Sequence, residues 1–274
     1  MPVSALLLAL GAAVVHATWT LLLSGQDDTY SATAVGMVVG TVAVLPFALI
    51  GWRVESAAWP YMISSSALEV LYLVLLSTAY SVAAMSFVYP IARGSAPVLV
   101  LLAGAIVTGA AVSVPAAVGV VLVAGGIVLV RGIRSGGRGR DLALALSVGA
   151  AIAGYTLIDK HGVTLASSLA YLEVVFGITT LAYLAGALRF RGAAALRAAV
   201  NWRTLVAGVG FSGAYALALL ALRLAPAASV AAVRESSVVI ATVVLAVGGR
   251  EKVGAVRVLG AVAVVAGIAL ISLG

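Results

Sequence analysis

Five ionisable side chains stand inside long apolar runs of this sequence: Glu69, Arg93, Glu173, Arg234 and Glu235. A charge at the centre of a membrane helix costs about 2.5–3.5 kcal/mol on insertion scales, so such residues persist where they face a cavity or one another. Arg93 and Arg234 carry the most direct chemistry. A guanidinium is a planar fork that grips carboxylate, phosphate or phosphonate at two points, and two such forks at one level repel unless an anion lies between them. The expectation is a central anion-accepting site formed by Arg93 and Arg234, with Glu69 and Glu235 in its lining. The alternative is a set of fixed struts, Arg93 to Glu69 and Arg234 to Glu235 or Glu173. Residues 234 and 235 point about 100° apart on a helix, so at most one of them faces any single target.

Other groups near these charges extend the picture. Glu69 and Glu173 are candidates to carry a coupling proton, because a carboxyl withdrawn from water can travel neutral. His16 is a third candidate, since imidazole titrates near neutrality; its ordinary role would be a satisfied polar residue between helices. Trp19, Tyr72, Tyr80, Tyr89, Tyr155 and Tyr215 are candidate pocket walls, and Tyr89, four residues before Arg93, shares its helix face. Trp52, Trp59 and Trp202 suit the membrane interface instead. Pro90 and Pro97 bracket Arg93. Each removes a backbone donor, which produces either a broken segment lining a cavity or a simple kink.

The elements that must hold these residues follow from composition. Of 274 residues 64% are hydrophobic and 9% charged, with a mean hydropathy of +1.22. Soluble domains run roughly 45–50% apolar and about 25% charged. An ordinary globular enzyme, a disordered chain and a nucleic-acid-binding domain are thereby excluded, and the net charge of +7 reads as loop arginine in a membrane protein. On a ruler of about 20 apolar residues per crossing, ten spans are expected: 3–24, 32–52, 60–82, 84–108, 114–130, 142–158, 165–188, 204–224, 227–247 and 255–273. The first is read as a helix and not a cleaved leader, because it lacks a basic start and its apolar run continues through Leu23. There is no cysteine, no Walker pattern, no His-Glu-x-x-His run and no arguable serine constellation. Gly125-Gly126 suits close helix packing rather than phosphate. No metal, no cofactor and no catalytic residue are expected.

The chain also repeats itself. Displaced by 141 residues, Ala84 falls on Ala225, Arg93 on Arg234, Ser95 on Ser236, Gly119 on Gly260 and Gly126-Ile127 on Gly267-Ile268. Near the start, Gly11-Ala12-Ala13 matches Gly149-Ala150-Ala151 at a slightly smaller displacement. The expected domains are a first five-helix repeat over 1–131, a basic linker over 132–140 and a second five-helix repeat over 141–274. Five crossings is an odd number, so the second half must be inverted relative to the first. Inverted repeats are a transporter signature, with the substrate near the midplane between them.

Two five-span halves in under 300 residues resemble the drug/metabolite transporter superfamily, EamA type. Tyr89-Pro90-Ile91-Ala92-Arg93-Gly94-Ser95-Ala96-Pro97 is similar to the fourth-helix pattern of one branch. Ala232-Val233-Arg234-Glu235-Ser236-Ser237-Val238 is similar to the ninth, and Gly249-Arg250-Glu251-Lys252 with Gly260 and Ala266-Gly267 to the closing loop and last helix. The first half has Ala110 where the second has Glu251, so the loop glutamate occurs once. The resemblance implies export or exchange of amino acids, metabolites or drugs, often coupled to protons. Small multidrug-resistance relatives carry a glutamate in the first helix; here that region offers His16, which weakens a cationic-drug reading.

Of the fourteen Lys and Arg other than Arg93 and Arg234, eleven lie in or beside the loops after odd-numbered spans. That bias puts those loops in the cytoplasm and both termini outside, whereas the resemblance implies cytoplasmic termini. The expectation is a multi-pass protein of the cell membrane, in contact with lipid, binding a small molecule and no nucleic acid, with its oligomeric state, a monomer or more, left open. Its expected function is secondary active transport, as an exporter of a small anionic or zwitterionic metabolite by alternating access, with proton coupling. The alternatives are a multidrug exporter of amphipathic cations and an intramembrane enzyme acting on a lipid-linked substrate.

Overall fold

A computed structural model describes the chain except residues 25, 83–84, 110–111, 132–138, 248–253 and 274, with the backbone alone at 24, 80–81, 85–87, 89–90, 108, 131, 242, 245–247 and 272–273. The helices are α1 (Val3–Ser24), α2 (Thr29–Ile50), α3 (Trp59–Val82), α4 (Met85–Thr108), α5 (Val114–Arg131), α6 (Gly139–Gly162), α7 (Ser168–Phe190), α8 (Gly192–Ala198), α9 (Trp202–Leu224), α10 (Ala227–Arg234), α11 (Ser236–Val247) and α12 (Ala255–Leu273). Among the described residues there is no β-strand, only an isolated antiparallel bridge between Val54 and Ala166. The protein is all-α. Of its helices α1, α2, α3, α6, α7 and α9 are long and apolar enough to cross a membrane, and α4, α5 and α12 contain the shorter apolar stretches Ile91–Val107, Val114–Val130 and Ala255–Ile271. It is a multi-pass membrane protein.

These helices are apolar on every side, so polarity does not distinguish their inner from their outer faces. Size does. Ile106, Val107 and Leu181 are exposed, while the interior is rich in alanine, glycine and serine, including Ala5, Ala9, Ala12 and Ala13 along α1. Small residues let backbones approach, which is how helices associate in lipid. α1 packs on α9, α3 on α6, α2 on α7 and α5 on α12; α4 lies against α6, and α10 and α11 against α1.

The α5–α12 contact is the tightest test of this packing. A Cβ on Gly126 would lie 2.6 Å from the Gly260 carbonyl oxygen, and one on Gly119 would lie 2.6 Å from that of Gly267. As one helix ascends the other descends, so the pair is antiparallel. Gly126→Ala is therefore expected to lower stability by about 1–3 kcal/mol, the usual cost of overpacking. Gly125→Ala, whose Cβ meets nothing within 4 Å, is expected to be neutral or slightly stabilising, read from unfolding midpoints in detergent.

Three expectations change here. The sixth span does not stop before Asp159; α6 continues to Gly162. The ninth span is two pieces, with a turn at Glu235 whose amide bonds the Ala232 carbonyl at 3.2 Å, an i→i−3 contact that tightens the chain there. The prolines around Arg93, by contrast, leave α4 one continuous helix. Most of the basic linker and Glu251 lie outside the described residues.

Outside the spans, Asp28 caps α2. Its Oδ1 accepts from the amides of Tyr30 (3.1 Å) and Ser31 (3.2 Å), and its Oδ2 from the Ser31 hydroxyl (2.7 Å). That hydroxyl first, then the backbone amides and Arg191, hold its carboxyl below the usual range. A depressed carboxylate contributes stability above its unfolded value and loses it as pH falls through its folded value. Asp28→Ala is expected to cost about 1 kcal/mol at neutral pH, and the difference from the native chain should vanish in acid, below the ordinary aspartate range.

Candidate functional site

The charged residues singled out in the sequence converge, with different partners from those expected. Arg93 on α4 donates from Nη1 to Glu235 Oε1 at 3.1 Å, and its Nη2 lies 2.6 Å from Nε2 of His16 on α1. The ion pair thus joins the first half of the chain to the turn between α10 and α11. It replaces the strut to Glu69 that the sequence left open. Glu69 on α3 instead accepts from the Thr179 hydroxyl of α7 at 3.3 Å.

Arg234 ends α10. Its guanidinium carbon lies over the Tyr215 ring at 5.9 Å, a cation–π arrangement. Among the described residues it has neither an ion pair nor a hydrogen bond. It nevertheless lies within electrostatic reach of His16, Glu69, Tyr155, Asp159 and Glu235. The strut from Arg234 to Glu235 or Glu173 is therefore not made.

Around Arg234 runs a chain of rings from several helices. Trp19 meets His16 edge-on at 4.8 Å and Phe211 at 5.2 Å; Phe211 stacks on Phe176 at 4.9 Å; Phe176 touches Tyr215 at 4.7 Å. Tyr155 continues the line, 6.4 Å from Tyr215 and 6.2 Å from Tyr72. Trp19, Tyr72, Tyr155 and Tyr215 are thus brought together as the sequence suggested, and Phe176 and Phe211 join them. The side chain of Tyr89 lies outside the described residues. Glu173 is buried on α7 with its Oε2 unpartnered and none of the central charges acting on it.

The residue that sequence reasoning missed is Asp159. It lies in the last turn of α6, 1% exposed, and is surrounded by donors: Ser65 Oγ of α3 at 2.5 Å, Tyr171 Oη of α7 at 2.9 Å, and Tyr215 Oη of α9. The Tyr215 hydroxyl also interacts with Glu69. Next in sequence, Lys160 turns away and donates to the carbonyls of Leu222 (2.5 Å) and Ala225 (3.1 Å), closing the end of α9. Among the described residues, the buried Glu235 Oε2, indole N–H of Trp19 and Ser236 hydroxyl have no hydrogen-bond partner.

The arrangement can neutralise and orient a small anion at Arg234 against an aromatic wall. Among the described residues it has no cluster of His, Asp and Glu suited to a metal. A separate apolar groove of about 440 Å³ opens on the outer wall between α4 and α5, lined by residues including Ile91, Gly94, Val121 and Val128; neither arginine lines it.

No family model and no curated protein matches the chain. Among solved structures it is similar to one described only as a crystal structure of a protein, with a TM-score of 0.78 over 98% of both chains at 18% identity. That likeness establishes a shared fold along the whole length.

Proposed function

We propose that this chain is a secondary active transporter of the drug/metabolite superfamily that it resembles. It is an exporter, in the cell membrane, of a small anionic or zwitterionic metabolite, built of ten crossings in two inverted halves and working by alternating access with proton coupling. The observation that carries the reading is Arg234: a permanent cation among apolar helices, lying against an aromatic face, with no anionic side chain bound to it among the described residues. A guanidinium in that position recognises a carboxylate or phosphonate.

The inverted duplication is supported by reciprocal packing. Gly119 meets Gly267 and Gly126 meets Gly260, whereas the repeat aligns 119 with 260 and 126 with 267. Exchanging each glycine for its mate therefore maps one contact onto the other, as a two-fold axis requires, and the antiparallel course places that axis across the helices. The same exchange relates α3 on α6 to α9 on α1. Arg93 sits about 12 Å along α4 and Arg234 about 11 Å along α10, at 1.5 Å per residue. In an inverted pair those depths are measured from opposite faces and meet near the middle.

A thermal-stability screen of the purified protein tests the reading. Carboxylates and phosphonates should raise the unfolding midpoint of the native chain and leave Arg234→Ala unmoved. Stabilisation by cationic dyes alone, unchanged in Arg93→Ala and Arg234→Ala, would favour the exporter of amphipathic cations, a reading supported by the aromatic line beside Glu69 and Asp159.

A further inference from the structure

The central charges do not balance as they stand. Arg93 is matched by Glu235 at 3.1 Å. That leaves Arg234 as the cation facing two carboxyls, Glu69 and Asp159, which are 6% and 1% exposed. Among the described residues, the groups around the pair supply no cation that is not already engaged. From α3 come Ser65 and Tyr72, from α4 Arg93, from α7 Tyr171 and Thr179, and from α9 Tyr215. On α6 itself, Lys160 is held by the carbonyls of α9, and His161 lies beside Tyr61. Two like charges sharing a desolvated site with one counter-ion cannot both ionise cheaply.

We propose that Glu69 and Asp159, joined through the Tyr215 hydroxyl, form a proton-binding site that holds one proton with Arg234 as its counter-ion and takes up a second when an anion occupies Arg234. The first half is independent of the anion reading above; the second rests on it. The balance is simple. Without a ligand, one carboxylate matches Arg234 and the other carboxyl is neutral. An incoming anion takes over Arg234, and the remaining carboxylate gains a proton to restore neutrality. One proton is thus bound for each anion bound. The site lies in the last turn of α6, so the proton has a short path to that end of the bundle, and the tyrosine hydroxyl can relay it between the two carboxyls.

Infrared pH-difference spectroscopy on the ligand-free protein in nanodiscs reads the first half. A carboxylic-acid C=O band is expected at neutral pH, diminished in Glu69→Gln and in Asp159→Asn and retained in Glu173→Gln. Absence of the band from the native protein, or its persistence in both variants, would overturn the proposal. Glu69→Gln keeps an acceptor oxygen for Thr179 and Tyr215, so it carries the test should Asp159→Asn fold poorly. Benzoate added in weak buffer reads the second half. One proton should be taken up per benzoate bound, with affinity rising about tenfold per unit fall in pH through that step. In Glu69→Gln/Asp159→Asn, benzoate should still bind, with no uptake and no pH dependence. Binding to the native protein without proton uptake overturns the coupling. No binding of benzoate overturns the Arg234 reading instead, and the infrared band tells the two failures apart.

Discussion

Asp159→Ala should be the most damaging single truncation inside the bundle. The aspartate collects hydroxyls from Ser65, Tyr171 and Tyr215, which reach it from three different helices. Removing the acceptor strands all three in a site that is 1% exposed. Each stranded donor costs about 1–3 kcal/mol, less than additively because hydroxyls can turn to one another. A loss of at least about 3 kcal/mol is expected, enough to depress the yield of folded protein. Asp159→Asn keeps the shape and one acceptor oxygen, so about 1 kcal/mol is expected there. Unfolding midpoints in a mild detergent would check this. Equal loss in the two variants would mean that the three hydroxyls do not depend on that carboxyl.

The second large effect is at the Arg93–Glu235 pair. Glu235→Ala removes the carboxylate bound to a guanidinium that is 12% exposed, and breaking a buried pair on one side typically costs about 3–5 kcal/mol. Replacing both partners with apolar residues of similar volume, Arg93→Met with Glu235→Leu, should recover most of that stability, because no charge is left stranded. Function should not return with it. The pair fastens α4 to the turn between α10 and α11, an interruption within the expected ninth span, and the substitution also removes a cation from beside the anion site. Recovered stability with lost carboxylate stabilisation would assign the pair to the working site. Recovery of both would make it an inert strut.

What could be read in the residues, and what could not, follows from the same physics. The intramembrane charges were legible because their cost is paid only at working positions, and Glu69, Arg93, Arg234 and Glu235 do gather around a common set of neighbours. Their pairing was not legible. Arg93 selects Glu235 over Glu69 because α10 packs against α4, and hydropathy says nothing about which helices are neighbours. Asp159 was hidden by its company: Asp-Lys-His reads as the wet end of a helix. Successive side chains point about 100° apart, so the aspartate faces inward while Lys160 turns to the carbonyls of α9. The one available signal was the set of buried hydroxyls, Ser65, Tyr171 and Tyr215, in want of an acceptor. The break at Glu235 had no proline or glycine to announce it, while Pro90 and Pro97 left a break or a kink open, and α4 runs past both unbroken.

The central claim is that Arg234 lies in a site that opens in turn to the two sides of the membrane. The chain has no cysteine, so one introduced thiol reports without background. Ala231, 8% exposed, sits one turn before Arg234 on α10. In sealed vesicles of known orientation, Ala231→Cys should react with a membrane-impermeant thiol reagent applied from either side. Benzoate should slow both reactions, and Arg234→Ala should abolish that protection. Reaction from one side only, with or without benzoate, would contradict alternating access at this site.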